Sequence, residues 1–286
     1  MDVNEAYDKC SDITRAEAKN FYYAFLTLPR TKRRAIYVIY AFCRLCDDIA
    51  DSDAEVNEKL KQISLVKQNL KQIDSYNMED PVYIALADVI NRFNIPVTHF
   101  DSLLSGMEMD LSKSRYKNFS ELEDYCYKAA SVVGLMCIYV FGFRDTRAEE
   151  CAISLGMAMQ LTNICRDVAD DLSLGRIYLP SDEMLRFGYS EELLGSLQAT
   201  VEFTELMKYQ VARARNYFVD GMRIVHYLDR DAKVCTSLLG NLYLALLDRI
   251  ERKSYDVLSN RIRLSLSEKL LLLAVTWFKV KCRVWR

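Results

Sequence analysis

An all-α fold of one domain is what the sequence predicts, on three observations. Glycine and proline are scarce, 9 and 4 in 286 residues, so few positions interrupt a helix. Apolar residues recur at three- and four-residue intervals over long stretches, which is the period of one helical face. Hydrophobic residues make up 51% of the chain, enough to fill a sizeable core. No repeat, low-complexity segment or linker divides the chain, so residues 1–286 are expected to form a single unit. A net charge of −2 gives no electrostatic case for nucleic acid as a partner.

The elements follow in order. Residues 2–27 predict a helix pair, or one broken helix, ending near Pro29 and carrying the aromatic cluster Phe21, Tyr22, Tyr23 and Phe25. Residues 31–51 predict a helix because Ala35, Ile36, Ile39, Tyr40, Cys43 and Asp47 keep the helical period. Residues 57–74 read as a solvated, lysine- and glutamine-rich helix, and 75–81 as a loop. Helices are expected over 82–93 and 98–111, the latter starting after Ile95-Pro96. The helix predicted over 120–141 carries Ala129, Ala130, Ser131 and Gly134, small residues that suit either close helix packing or space for a ligand. A turn at 142–145 leads to a helix from about 148 to just before Gly175. Short pieces at 183–187 and 190–197 and long helices at 202–228 and 231–250 complete the bundle.

The nine cysteines are an odd number, scattered through apolar helical runs, and read as reduced core residues. Cys43 and Cys46 have redox or zinc spacing but lie inside a helix with no second pair, and His99 and His226 are the only histidines. Residues 1–20 lack the apolar core of a signal peptide, and no run reaches the ~18–20 apolar residues of a membrane span. A cytoplasmic location is expected. The longest apolar run, residues 270–278, is followed by Lys279, Lys281, Arg283 and Arg286, with Trp277 and Trp285 nearby. A core-packing last helix with a charged outer face is the first expectation, and peripheral contact with an anionic membrane is the alternative.

Two acidic stretches carry the chemistry. Gln160, Asn163, Asp167 and Asp171 fall on one helical face, with Arg166 alongside. Asp47 and Asp51 repeat the i, i+4 spacing on an earlier helix, with Asp48 between them, Arg44 three residues before Asp47, and Tyr40 a turn earlier. Carboxylates at that spacing lie roughly 6 Å apart along the axis. Bare, they destabilise a helix by a few tenths of a kcal/mol. Magnesium would make the arrangement favourable, since it takes a few carboxylates, keeps waters and shares itself with phosphate oxygens. The reading is of two helices facing across a cavity, with Asp47, Asp48, Asp51, Asn163, Asp167 and Asp171 as candidate metal ligands around a diphosphate.

These stretches resemble the squalene/phytoene synthase family. The resemblance is carried by Asp47-Asp48-Ile49-Ala50-Asp51, by Asn163 to Asp171, and by Gly175-Arg176-Ile177-Tyr178-Leu179-Pro180. It extends through Asn20 to Phe25, Tyr40 to Arg44, Gly106 to Asp110 and Tyr125-Cys126-Tyr127, all in family order. It implies an isoprenoid-synthase-like helical bundle around a central cavity, and head-to-head condensation of two prenyl diphosphates with two or three magnesium ions. It further implies that Phe21 lines the cavity and that the turn of Ala18, Lys19 and Asn20 contacts diphosphate. Where relatives carry serines at 18 and 20, Ala18 offers only its backbone. Asp110, Tyr125, Tyr243 and Arg261 are implied at the substrate, with Arg115 and Tyr116 just beyond Asp110, and Arg176 and Tyr178 on a loop placed to cover the diphosphate as a lid.

Catalytic roles are expected for the four aspartates 47, 51, 167 and 171, with Arg44 and Arg166 adding positive charge and Tyr40 a candidate base. Phe25 and Tyr37, each a turn from Phe21 and Tyr40, are bulky residues that would shorten the cavity. On that ground, and on the likeness of residues 21–25 to bacterial presqualene diphosphate synthases, the expected reaction joins two farnesyl diphosphates into presqualene diphosphate, or onward to a C30 product. The alternative is a phytoene synthase condensing two geranylgeranyl diphosphates, which the run from Met109 to Phe119 resembles. Outside enzymes, the alternative is a helical scaffold. No GxGxxG fingerprint is present, so a product independent of NADPH is expected. Enzymes that consume the isoprenoid product are the expected downstream partners.

Overall fold

A computed structural model describes residues 1–18, 21–73 and 79–282, three quarters of the chain being helical. Among the described residues extended pairing is limited to two isolated bridges, Arg115 with Ile177 and Phe143 with Leu228. The helices are α1 (Val3–Glu17), α2 (Tyr22–Phe25), α3 (Arg30–Asp51), α4 (Val56–Lys71), α5 (Pro81–Phe93) and α6 (Val97–Ser112). Then α7 (Phe119–Cys126), a π turn (Tyr127–Ser131) and α8 (Val132–Phe141) run on as one continuous helix. They are followed by α9 (Arg147–Arg166), α10 (Val168–Ser173), α11 (Ser181–Arg186), α12 (Glu191–Gly195), α13 (Val201–Gly221), α14 (Ile224–Tyr227), α15 (Lys233–Arg252) and α16 (Leu266–Lys281).

Local sequence explains many of the boundaries. Asp80 accepts the Val82 N–H ahead of Pro81 at the start of α5, and Asn94, at φ 51°, closes it. Asn118, Ser190 and Thr200 cap α7, α12 and α13 in the same way.

The helix α9 forms the axis of the bundle. It packs along α13 on one side and against the π turn and α8 on the other. Two glycines permit that approach. A Cβ on Gly156 would lie 2.5 Å from the Ser131 Cα, and one on Gly221 would lie 2.6 Å from the Leu155 amide nitrogen. The N-terminal layer is formed by α1 against α3 and α5.

Three expectations change. The helix predicted from 148 to Gly175 breaks at Asp167 (φ −102°, ψ 18°), although Asp167 N–H still donates to Asn163 and Asp171 N–H to Asp167, both at 2.8 Å. The segment 119–141 is long and apolar enough to span a bilayer, but it is half-buried against α6 and α9 and lines the cavity. The last helix packs one side on α15, with Leu272 and Leu273 against the core, but its outer face is apolar and not charged as expected. Thr276 is its one fully buried residue among those described, while Leu266, Leu270, Leu271, Val275, Trp277 and Phe278 are exposed. It is further held by the capping box of Ser265 and Glu268, by Asn241 Nδ2 donating to Thr276 Oγ1 at 2.9 Å, and by Arg249 on Glu268. All nine cysteines are free thiols, most of them buried.

Candidate active site

Burial of apolar side chains from α3, α6, α8, α9 and α15 leaves a cavity of about 280 Å³ at the centre of the bundle. Its wall is almost wholly apolar: Ile39, Leu103, Met107, Val133, Phe141, Leu155 and Leu239 are representative. Ala129, Ala130 and Gly134 also line it, so the small residues of this segment serve both readings. They let helices approach and they leave room. Ala129 and Ala130 lie on the π turn, an insertion frequent at functional sites. Asp47, Gln160 and Asn163 give the wall its acidic and amide groups, contributed by α3 and by the C-terminal part of α9.

The aromatic residues divide. Phe21, Phe25, Tyr40 and Tyr243 line the cavity. Phe21 stacks between Phe25 and Tyr243, at centroid distances of 6.2 and 6.1 Å. Tyr37 does not line it. Tyr37 sits behind Phe25, stacked on Tyr22 at 6.0 Å, because its position on α3 faces α2 and the core. Burial raises the Tyr40 phenol to about 12, so it stands as a neutral donor and not as a ready base.

Burial, reinforced by repulsion from neighbouring acids, dominates the electrostatics of the acidic end. It raises Asp47 to about 7, with Asp51 the next contributor, and Asp171 to about 7, with Asp167 next. Asp110 acts on both, so its carboxylate lies within electrostatic reach of each. Burial also raises Asp110, against hydrogen bonds from Tyr178 Oη (2.7 Å) and Tyr125 Oη (2.9 Å) and the nearby Arg176. Among the described residues Asp47, Asp51 and Asp171 form no ion pair.

Several assigned residues take other partners. Asp48, one residue's 100° step from Asp47, is turned outward and accepts from Arg44 at 2.5 Å, so Asp48 does not serve the cavity, while Arg44 is engaged by Asp48 but stays within electrostatic reach of Asp47 and Tyr40. Asp167 is held by Arg166 Nε at 2.8 Å and by Arg261 Nε at 3.1 Å, and Arg261 also reaches Asp170. The loop between α15 and α16 thus brings Arg261 to the break after α9. Ala18 is unable to contact a ligand through its backbone as expected. Its N–H donates to Thr14, and its carbonyl accepts from Phe21 and Tyr22. Lys19 and Asn20 lie outside the described residues.

Tyr125 and Tyr178 are buried, stack on each other at 5.1 Å, and support Asp110 instead of facing the cavity. The Gly175–Pro180 segment is not a free lid. Ile177 N–H donates to Ser114, Ser181 N–H donates to Tyr116, and Arg115 Nη1 donates to the Gly175 carbonyl. Arg115 itself faces Glu191, and Tyr116 is buried against Tyr178. This segment carries Arg176 to the acidic end, within electrostatic reach of Asp110 and Asp171.

Among the described residues no three His, Cys, Asp or Glu side chains converge tightly enough to cage a metal ion. The donors nevertheless fit a hard divalent cation. They are carboxylate and amide oxygens, from Asp47 and Asp51 on α3, Asn163 at the end of α9 and Asp171 on α10, with no ion pair to those three aspartates among the described residues. Such a set suits a cation that arrives with phosphate oxygens of its own.

An apolar chamber capped by acids from two helices describes a whole family of proteins, and the comparisons identify which. The squalene/phytoene synthase model matches residues 14–268. The chain belongs to the squalene/phytoene synthase family. A 15-cis-phytoene synthase of Synechocystis sp. is 38% identical over 98% of this chain and 86% of its own length. The 15-cis-phytoene synthase of Synechococcus elongatus is 35% identical over 97% and 94%. Among solved structures, a dehydrosqualene synthase in complex with ligand superposes with a TM-score of 0.90 at 29% identity, covering 98% of each chain.

Membership makes the chain a head-to-head synthase of prenyltransferase type, acting on prenyl diphosphates in an isoprenoid-synthase fold. The farnesyl-specific presqualene reading is overturned, because relatives at 35–38% identity over nearly the whole chain are phytoene synthases. Its physical basis fails in part as well, since Tyr37, one of the two residues meant to shorten the cavity, is not in the cavity wall.

Sequence reasoning missed the deep wall. Leu103, Met107, Phe141, Leu155 and Ile224 cannot be told from ordinary core positions by periodicity, because a cavity wall and a packed core present the same apolar face.

Proposed function

We propose that this protein condenses two geranylgeranyl diphosphates head to head, as the relatives named phytoene synthase do. The observation that carries the reading is the polarised cavity: a greasy chamber with Asp47, Gln160 and Asn163 at one end, and Asp110 and Asp171 beside it.

Two or three magnesium ions entering with the diphosphates would be held by Asp47, Asp51, Asn163 and Asp171, and by Asp167 once its arginines turn to phosphate. Bound there, they would neutralise the leaving group. The C1–O bond of the donor breaks and its electron pair leaves with the diphosphate. Arg166, Arg176 and Arg261 supply further positive charge at that end. The Tyr40 phenol stands at the cavity wall as a hydrogen-bond donor. Phe21, Phe25 and Tyr243 present aromatic rings toward the allylic cation, each worth about 2 kcal/mol when desolvated. The double bond of the second substrate attacks C1, and loss of a proton closes a cyclopropane. Loss of the second diphosphate with its electron pair, opening of the cyclopropane and loss of a second proton to the released diphosphate carry that intermediate to a linear C40 hydrocarbon without NADPH.

The test is product analysis by mass spectrometry with farnesyl and geranylgeranyl diphosphate in parallel, with magnesium or chelator, and with or without NADPH. A C40 hydrocarbon from the C20 substrate, dependent on magnesium and indifferent to NADPH, is expected. Exclusive C30 products, or no diphosphate release under any condition, would reject the reading.

A further inference from the structure

A charged concavity lies at the other end of α9 from the acidic groups. The turns at 142–146 and 228–232 enclose a pocket of about 340 Å³, lined by Arg144, Arg147, Arg230 and Lys233 and by one carboxylate, Asp145. Arg147 stands at the start of α9 and Asn163 near its end, so roughly 24 Å of helix separates this pocket from the acidic end. Phe141 and Thr236, which line the chamber, flank the two turns in sequence, so the pocket sits behind the chamber wall and not in it.

The two turns are fixed to each other. Phe143 pairs with Leu228 as an isolated antiparallel bridge, and Asp229 N–H donates to the Gly142 carbonyl at 3.0 Å. Lys32 ties both turns to α3, its Nζ donating to the Phe141 carbonyl and to Asp231, each at 2.7 Å. The cations are thus carried on a preformed frame.

Charge on that frame is unbalanced. Asp145 is consumed by Arg147, with Nη2 on Oδ2 at 2.6 Å and Nε on Oδ1 at 3.0 Å. Asp229 is taken by Lys32 at 3.2 Å and lies 3.8 Å from Arg144. Among the described residues Arg230 and Lys233 form no ion pair. Burial, and then the charges of Arg230 and Arg144, lower the Lys233 pKa, as expected of cations crowded together without a counter-ion. Lys233 also opens α15, a helix of 20 residues whose N-cap, Ala232, makes no side-chain cap and whose first turn holds no acid. The positive potential of that helix end adds to the three cations. Arginine forks and an ammonium around a concavity suit a polyvalent phosphate, since a lone carboxylate would leave most of them unmatched.

We propose that Arg144, Arg230 and Lys233 form a binding site, separate from the chamber, for the diphosphate group of a small anion, either free or carried on a nucleoside. The protein supplies the positive charge itself, so this site binds without a metal ion. The carboxylates of the acidic end, in contrast, oppose a diphosphate that arrives without a cation. The site stands independently of the catalytic reading.

The test is calorimetric titration of the full chain with sodium diphosphate in metal-stripped buffer, with ADP and sulfate in parallel. One site is expected, weakened severalfold by added salt. The variant Arg230→Gln/Lys233→Gln should lose at least about tenfold in affinity. Its melting temperature without ligand should equal or exceed the parent's, because a repulsion is removed. Arg144→Gln, at a side chain 83% exposed, gives a second reading of the site on a change the fold tolerates, and should lose about threefold or more. Arg176→Gln, at the acidic end, should leave the affinity unchanged. Binding of ADP about tenfold tighter than diphosphate upholds the site and assigns it to a nucleotide, and comparable binding upholds it for the free anion. Absence of binding to the parent, equal binding of sulfate at matched ionic strength, or loss of binding in Arg176→Gln and not in the pocket variants overturns the proposal. A lowered melting temperature with affinity retained in the double variant would assign both residues to the fold, and would also overturn it.

Discussion

Asp47 and Asp171 are desolvated carboxyls that form no ion pair among the described residues, and that condition has measurable consequences. Each has a folded pKa of about 7 against an ordinary value of 3.8. A carboxyl with a raised pKa binds its proton more tightly in the folded state, so ionisation opposes folding. The cost begins above about pH 4 and is complete above about pH 7. Stability of the cation-free protein should therefore fall across that window as far as these two groups contribute. Magnesium competes with the proton, so it should raise the melting temperature above about pH 7 and do little near pH 5. Equal effects at both would reject Asp47 and Asp171 as its ligands. Asp47→Asn should stabilise the cation-free protein above neutrality by on the order of 2 kcal/mol, abolish the magnesium response and lower turnover by at least about 10²-fold. At the same scale the spacing of the aspartates was legible in the sequence, but their pairing was not. Arg44 and Arg166 looked equivalent beside the two motifs. One pairs with the outward-turned Asp48 and the other with Asp167, a difference of side-chain partner that one sequence does not encode.

At the scale of the element, α9 is the part on which the geometry depends. Gly156 and Gly221 place it in near contact with the π turn and with the end of α13. A methyl at Gly156 has backbone, not a flexible side chain, 2.5 Å away, so relief requires the helices to separate. Gly156→Ala should therefore cost about 2–3 kcal/mol and lower the melting temperature by roughly 5 °C or more, read by calorimetry. An unchanged melting temperature would show that α9 is free to shift. The capping box of α16 offers a milder perturbation. Ser265→Ala should cost about 1 kcal/mol locally, seen as faster amide exchange in the first turn of α16 without a change in the core. Helix existence was readable throughout, because periodicity reports which face is buried. The breaks at Asp167 and after Gly221, and the π turn at Tyr127–Ser131, were not readable, because hydrogen bonding across them is nearly continuous and the apolar period persists.

At the scale of the molecule, the length of the chamber decides which prenyl chain fits. Val133 lines it, on α8 beside Gly134. Val133→Phe should fill part of the chamber and shift the preference from the C20 toward the C15 substrate by roughly tenfold in a competition assay. An unchanged ratio would mean that the substrate tail does not run along this wall. The C15 expectation failed at this scale. It treated Phe25 and Tyr37 as joint walls, and the packing of α2 on α3 puts only Phe25 at the surface of the cavity.

By itself the sequence determined the all-α class, the order of the helices, the paired acidic motifs and the family, all of which depend on residue type and local spacing. The tertiary structure decided which acids stay free and which are consumed by arginine, that Tyr125 and Tyr178 brace Asp110, that the segment after Gly175 is pinned, and that the last helix turns its apolar face outward. The reason is physical. Local periodicity says that a face is apolar, but whether that face meets another helix, an empty chamber or solvent depends on how all the helices pack together.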